Sequence, residues 1–196
     1  MHKSLKKSFA LLMTAGMLGS FAQAATYKLD AAHTTIGFSV RHMMVSNVKG
    51  SFGEFEGTIE FDENDPSSMK ASAVIQVASI DTANEKRDDH LRNEDFFDAP
   101  QFPTITFETT RVEGELPNLT LVGNLTMKGV TKEVSIPVEV GGPITNPWGS
   151  VIIGLSGGTT INRQDFGLTW SKALDGGGVV VGDQVRLILE IEAIKQ

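Results

Sequence analysis

His33, His42 and His90, with the carboxylates around them, are the side chains of this sequence best suited to moving a proton or holding a metal. Two imidazoles share one ion when they stand two or four residues apart, and none of these three stands so close to another. Single histidines bonding locally, at strand ends or on a helix face, are the simpler reading. Cysteine is absent, which removes thiolate nucleophiles, disulfides, iron–sulfur clusters and cysteine zinc sites. Ser39, Ser46, Ser51, Ser72, Ser79 and Ser171 stand in no G-x-S-x-G elbow and carry no sign of a hydrolytic nucleophile. What remains is an acid–base pair drawn from His42 or His90 and Asp81 or Asp88. It requires those groups to converge in one pocket within hydrogen-bond reach, about 3 Å.

Most of these groups belong to one charge-dense stretch, Ser79 to Asp98. Thr82 followed by Glu85 fits a capping box, in which the hydroxyl serves one backbone N–H and the carboxylate returns to another. Leu91 falls three residues after Asp88 and four after Arg87, so a short helix is expected, ending near Phe96-Phe97 before Pro100. Arg87 has Asp81 or Asp88 as ion-pair partners. The stretch reads equally well as a plug for one end of a barrel, anchored by Phe96 and Phe97, and as a ligand contact. The two are compatible, because a plug at one end makes the other end a pocket.

The elements that would hold this stretch read with period two. Phe55, Gly57, Ile59 and Phe61 face one way, and Glu56, Thr58 and Glu60 the other, as in a half-buried antiparallel strand. Thr34 to His42 and Val185 to Ala193 repeat the pattern, and further strands are expected near 70–78, 104–112, 119–127, 130–140 and 150–160. A second short helical turn fits 162–166. Eight or so strands joined by short turns point to an all-β barrel or sandwich. Gly37, Gly53, Gly57 and Gly123 lie inside strand patterns, where glycine marks a bend, a bulge or a close approach.

Lys+Arg number 17 against 24 Asp+Glu over 196 residues, a net charge of −7, and no basic block follows the N-terminus. That balance is the wrong sign for nucleic acid, which is not an expected partner. His2, Lys3, Lys6 and Lys7 precede an apolar run from Phe9 to Phe21 and then Ala22-Gln23-Ala24. This is the layout of a cleaved secretory signal over 1–24, and the run is shorter than the ~20 apolar residues of a membrane span. Residues 25–196 then form a single exported domain, not membrane-spanning. Setting aside Lys3, Lys6 and Lys7 leaves 14 bases against the same 24 acids, a net charge of −10.

The order of segments resembles the YceI-like polyisoprenoid-binding proteins of the bacterial periplasm. The resemblance rests on Leu29-Asp30-Ala31-Ala32-His33-Thr34, Phe38-Ser39-Val40-Arg41-His42, Gly50-Ser51-Phe52, Phe55-Glu56-Gly57 and the Ser79 to Asp98 stretch. It continues through Phe102-Pro103-Thr104-Ile105-Thr106-Phe107, Val122 to Val130, Asn162-Arg163-Gln164-Asp165-Phe166-Gly167 and Val181-Gly182-Asp183-Gln184-Val185. It implies an eight-stranded antiparallel lipocalin-like β-barrel with one or two short helices inserted between strands. The interior would hold a long-chain lipid such as a polyprenyl chain or an isoprenoid quinone, with no cofactor and no metal. Ile36, Phe38, Val40, Phe52, Phe55, Ile59, Phe107 and Trp170 are the expected wall. His33, His42, Asp81, Arg87, His90 and Arg163 are the head-group candidates. An enzyme of isoprenoid or quinone lipid metabolism using the His/Asp pair is the alternative, and association into a homodimer is left open.

Overall fold

The computed structural model describes residues 24–196, so the expected leader lies outside the described residues apart from Ala24. Twelve strand segments make up eight long strands, four of them broken. The first is β1 (Ala25–Leu29) and β2 (Thr35–His42), the second β3 (Ser46–Phe52) and β4 (Phe55–Phe61), the third β5 (Lys70–Gln76) and β6 (Ile80–Asp81). β7 (Thr104–Glu115), β8 (Asn118–Met127) and β9 (Val130–Thr145) run unbroken. β10 (Val151–Gly157) with β11 (Thr160–Asn162) is the seventh, and β12 (Val181–Lys195) the eighth.

Every pairing is antiparallel and joins neighbours in sequence, except the last, which closes the ring. β12 carries β10 and β11 on one edge and β1 and β2 on the other. The result is a closed up-and-down barrel of the lipocalin-like kind, in which closure removes the sheet edges. The breaks have local causes. Between β1 and β2 the Asp30 carboxylate accepts from Ala32 N–H, an Asx turn. Thr34 Oγ1 then donates to the Glu192 carbonyl and accepts from Glu192 N–H, which carries the ladder across the gap. Between β5 and β6 a 3₁₀ turn at Val77–Ser79 does the same work.

Sequence periodicity anticipates β2, β4, β5, β7 to β10 and β12, and the 3₁₀ turn Arg163–Phe166 falls within the helical turn expected at 162–166. β3 is not among the expected strands, although Val48, Gly50 and Phe52 alternate with Asn47, Lys49 and Ser51; the glycine thins its apolar face. The helix α1 (Glu85–Arg92) is shorter than expected and its cap is different. Asn84, not Thr82, is the N-cap, its side chain accepting from Arg87 N–H. Thr82 is drawn inward instead: its N–H and hydroxyl both donate to the buried Asp88 carboxylate. Arg87 accordingly bonds Thr82, through Nε to Oγ1 and Nη2 to the carbonyl, each at 2.8 Å, and not an aspartate. Arg92 ties the helix to the third strand through the carbonyls of Ala78 and Ile80.

The α1 excursion sits at the end of the barrel where β2 meets β3 and β8 meets β9, here the upper end. Lys128 in the β8–β9 turn donates to the Glu94 carbonyl at 2.9 Å. Two hydrophobic clusters follow each other along the axis. The lower contains Tyr27, Phe61, Met69 and Ile153, each 3% exposed or less. The upper contains Phe52, Phe96, Phe97 and Phe166.

Candidate functional site: a hollow in the upper barrel

The inward faces do not meet in the upper barrel. Between them lies a cavity of about 190 Å³, lined by side chains from the strands all round the ring and by Leu91, Phe96 and Phe97 of the α1 excursion. A water-sized group needs roughly 10–15 Å³ of such space, so the hollow takes a chain of on the order of a dozen groups. Its floor is the lower cluster, and Ile59, Leu121, Ile136 and Leu155 are shared between the two.

Two glycines make room for aromatic wall residues. A Cβ on Gly50 would lie 2.5 Å from Phe38 Cζ, and one on Gly123 would lie 2.7 Å from Phe107 Cζ. Each ring therefore lies close against bare backbone, in space that a side chain at the glycine would need. On β5 the inward register is Ala71, Ala73 and Ile75, so short side chains leave the space that longer ones would fill.

Of the expected wall, Ile36, Phe38, Val40, Phe52, Ile59 and Phe107 stand around this cavity. Phe55 and Trp170 do not; both pack against the upper cluster from outside the lining. Sequence reading passed over Ala71 and Ala73, whose signal is small size in the inward register. It also left out Leu187 and Leu189 of β12, although their alternation was plain.

The polar candidates are dispersed. Arg163 reaches the lining, but all five of its N–H groups are taken. Nε donates to the Gly182 carbonyl, Nη1 to the carbonyls of Leu168 and Trp170, and Nη2 to Val181 O and Asp183 Oδ1. Its side chain is 4% exposed, and burial lowers its pKa below the ordinary guanidinium value while Asp183 opposes the shift. The group is a clasp joining the Arg163–Phe166 turn to β12, with no donor left for a ligand. Asp81 accepts from Ala83 N–H in a turn, and Asp88 is occupied by Thr82. His90 Nε2 lies 2.9 Å from Asp95, and its ring packs edge-on against Phe96 and Trp170 at about 5 Å. His42 ends β2 opposite Ser46 and Val181. None of His33, His42, Asp81, Arg87, Asp88 or His90 lines the cavity, and no His/Asp pair of the expected kind forms.

His33 stands on the outer wall, 63% exposed, with Nδ1 2.7 Å from Asp30 and 3.9 Å from Glu192. The hydrogen bond with Asp30 raises the imidazole pKa above its ordinary value and lowers that of the carboxyl. Gly154-Leu155-Ser156-Gly157-Gly158 spells G-x-S-x-G, which sequence reading also missed. It lies along β10 with Ser156 exposed, and lacks the strand-to-helix turn that gives the motif its chemistry. Among the described residues Ser171 Oγ is the one buried side-chain polar atom without a partner.

A closed antiparallel barrel with a floor of packed side chains and an apolar hollow above it is a lipocalin-like receptacle. The model of the YceI family, described as a YceI-like domain, matches residues 27–193, and the chain belongs to that family. A Staphylococcus aureus (strain N315) protein, "UPF0312 protein SA2479", is 44% identical over 161 residues, covering 82% of this chain and 92% of the relative. The crystal structure of Campylobacter jejuni YCEI protein is 34% identical with a TM-score of 0.68, covering 86% of this chain and 96% of that one. A structure described as a polyisoprenoid binding domain from Saccharophagus degradans, implicated in plant cell wall breakdown, matches with a TM-score of 0.68 at 17% identity. It covers 89% of this chain and all of that one, and shares the fold.

Proposed function

We propose that the protein is an exported, periplasmic lipid-binding protein that holds one long-chain isoprenoid or similar amphiphile in the upper barrel. It would serve transport, storage or sequestration, not catalysis. The observation that carries this reading is the cavity itself, whose wall is apolar all round and whose one charged member, Arg163, has every donor engaged. Such a wall takes hydrocarbon, at about 0.8 kcal/mol for each CH₂ removed from water. It offers nothing to a diphosphate, so an uncharged head, such as a quinone, fits best and would lie at the mouth. The family and the neighbour described as polyisoprenoid-binding support the ligand class. The Lys-rich head, apolar run and Ala22-Gln23-Ala24 site support export.

The test is organic extraction of the purified protein followed by mass spectrometry. A long-chain neutral lipid, near one per barrel, is expected. Protein that carries none, and that also takes up none when a long-chain quinone is added, contradicts the reading.

A further inference from the structure

The hollow has a sharply defined bottom. Three cross-strand pairs, Ile59–Ala71, Leu121–Ile136 and Leu155–Ile191, line it and also belong to or pack against the lower cluster, so together they form its floor. Behind them Tyr27, Phe61, Met69 and Ile153 are 3% exposed or less, and none of these four reaches the lining. A chain could pass further down only by prising apart a close-packed core.

The distance from floor to rim follows from the strands. On the unbroken β8 the lining runs from Leu121 up to Met127, and on β12 from Ile191 up to Val185. Val181 stands at the rim, beyond an irregularity in the β12–β2 pairing. Each run is about 20 Å of strand, or roughly 15 Å of barrel height at the usual tilt, which an extended chain of about a dozen carbons spans. The volume agrees: about 190 Å³, at roughly 10–15 Å³ for each group, holds on the order of fifteen groups. Three isoprene units meet both measures, because their methyl branches add volume without adding length.

We infer that the protein selects its ligand by chain length: the three floor pairs are a stop, and the tail that fills the hollow is about three isoprene units, or a straight chain of about a dozen carbons. This rests on the reading of the hollow as a lipid receptacle and narrows its ligand. The tail points down, because the floor offers only hydrocarbon and Arg163 keeps no donor free for a polar head. A tail of that length brings its head to the rim. A shorter one leaves lining without contacts, and each carbon of a longer one that stays above the rim remains in water and adds no affinity. Ala71 is the position at which the depth is set. It is the one short side chain of the floor, paired with Ile59, and a larger residue there would occupy the bottom of the hollow.

Titration of lipid-stripped protein with benzoquinones that share one head group and carry one to five isoprene units tests the inference, with binding read by quenching of tryptophan fluorescence. A buried methylene is worth about fourfold in affinity, so wild type should gain at least tenfold from one unit to two and again from two to three. From three units to five the gain should be less than about threefold in all. Ala71→Leu places its added carbons in open space and should melt no lower than stripped wild type. It should keep the step from one unit to two and lose the step from two to three. Affinity that goes on rising tenfold with the fourth and fifth units, or levels off before the third, overturns the inference. So does an Ala71→Leu profile that matches wild type. Each of these results leaves the receptacle standing, whereas a wild type that binds none of the five quinones sinks the receptacle itself.

Discussion

The lower and upper halves of the barrel are built from the same eight strands with the same alternation, yet one is solid and the other hollow. Below, Tyr27, Phe61, Met69, Ile153 and Ala193 close the interior at 3% exposure or less. Above, β5 contributes alanines, two glycines lie beneath aromatic rings, and the α1 excursion supplies Leu91, Phe96 and Phe97 as a cover. Side-chain volume at a few inward positions makes the difference, since period and topology are common to both. A small barrel is filled by its own side chains or holds one slender ligand, and this chain does each in turn along one axis.

The contrast can be attacked first at its structural clasp. Arg163→Met leaves four backbone carbonyls and Asp183 without their donor beside the hollow. Loss of about 3 kcal/mol or more is expected in urea denaturation. Arg163→Lys should not restore it, because an ammonium cannot reproduce five fixed donors. Stability close to wild type in Arg163→Met would show the clasp to be idle.

Next come matched truncations in the two halves, measured on lipid-stripped protein. Ile153→Ala removes a side chain packed on all sides and should cost about 2–5 kcal/mol. Leu187→Ala removes one that already borders empty space and should cost roughly 1 kcal/mol. Equal costs would mean that the upper half is as densely packed as the lower.

The smallest effect lies on the outer wall. In an imidazole titration by NMR, His33 should titrate above about 6.5, the ordinary value, and Asp30→Asn should lower it toward that value, with Glu192 still acting on the ring. Its raised pKa gives stability that is complete below the ordinary histidine value and is lost as pH rises through the raised one. The lowered pKa of Asp30 gives stability complete above about 4, lost as pH falls through the depressed value. The pair is therefore worth most between about pH 4 and 6.5. Because it is solvent-exposed, the melting temperature should move only slightly, with neither half of the barrel distinguished.

How far the sequence carried these conclusions varied with the kind of signal. Alternation revealed most strands and six of the wall residues, because an inward side chain in a barrel must recur at every second position. The breaks were harder to see. In residues 46–52 the alternation of Val48, Gly50 and Phe52 is faint because a glycine holds its middle inward place, and β3 is plain only from its pairing with β2. Thr82 illustrates the limit of local motifs: its spacing to Glu85 suits a cap, but the buried Asp88 outbids the helix end for the same hydroxyl. The polar site candidates were chosen for their chemistry alone. Arg163 met the wall and proved saturated, while His90 found Asp95 five residues on, a partner no spacing rule favoured. The hollow was least legible, since it depends on volume missing at Ala71, Ala73, Gly50 and Gly123 jointly, which no single position announces.

The central claim is that the upper hollow, and not the packed half, holds a lipid chain. Native mass spectrometry of wild type beside Ala73→Phe tests it most directly. In a filled core such an insertion costs about 1–3 kcal/mol. Here the ring should enter empty space, so the variant should melt no lower than lipid-stripped wild type. Wild type should carry a bound mass of long-chain lipid that Ala73→Phe lacks. Ala73→Phe that retains the same bound mass, or wild type that never carries one, would contradict the account.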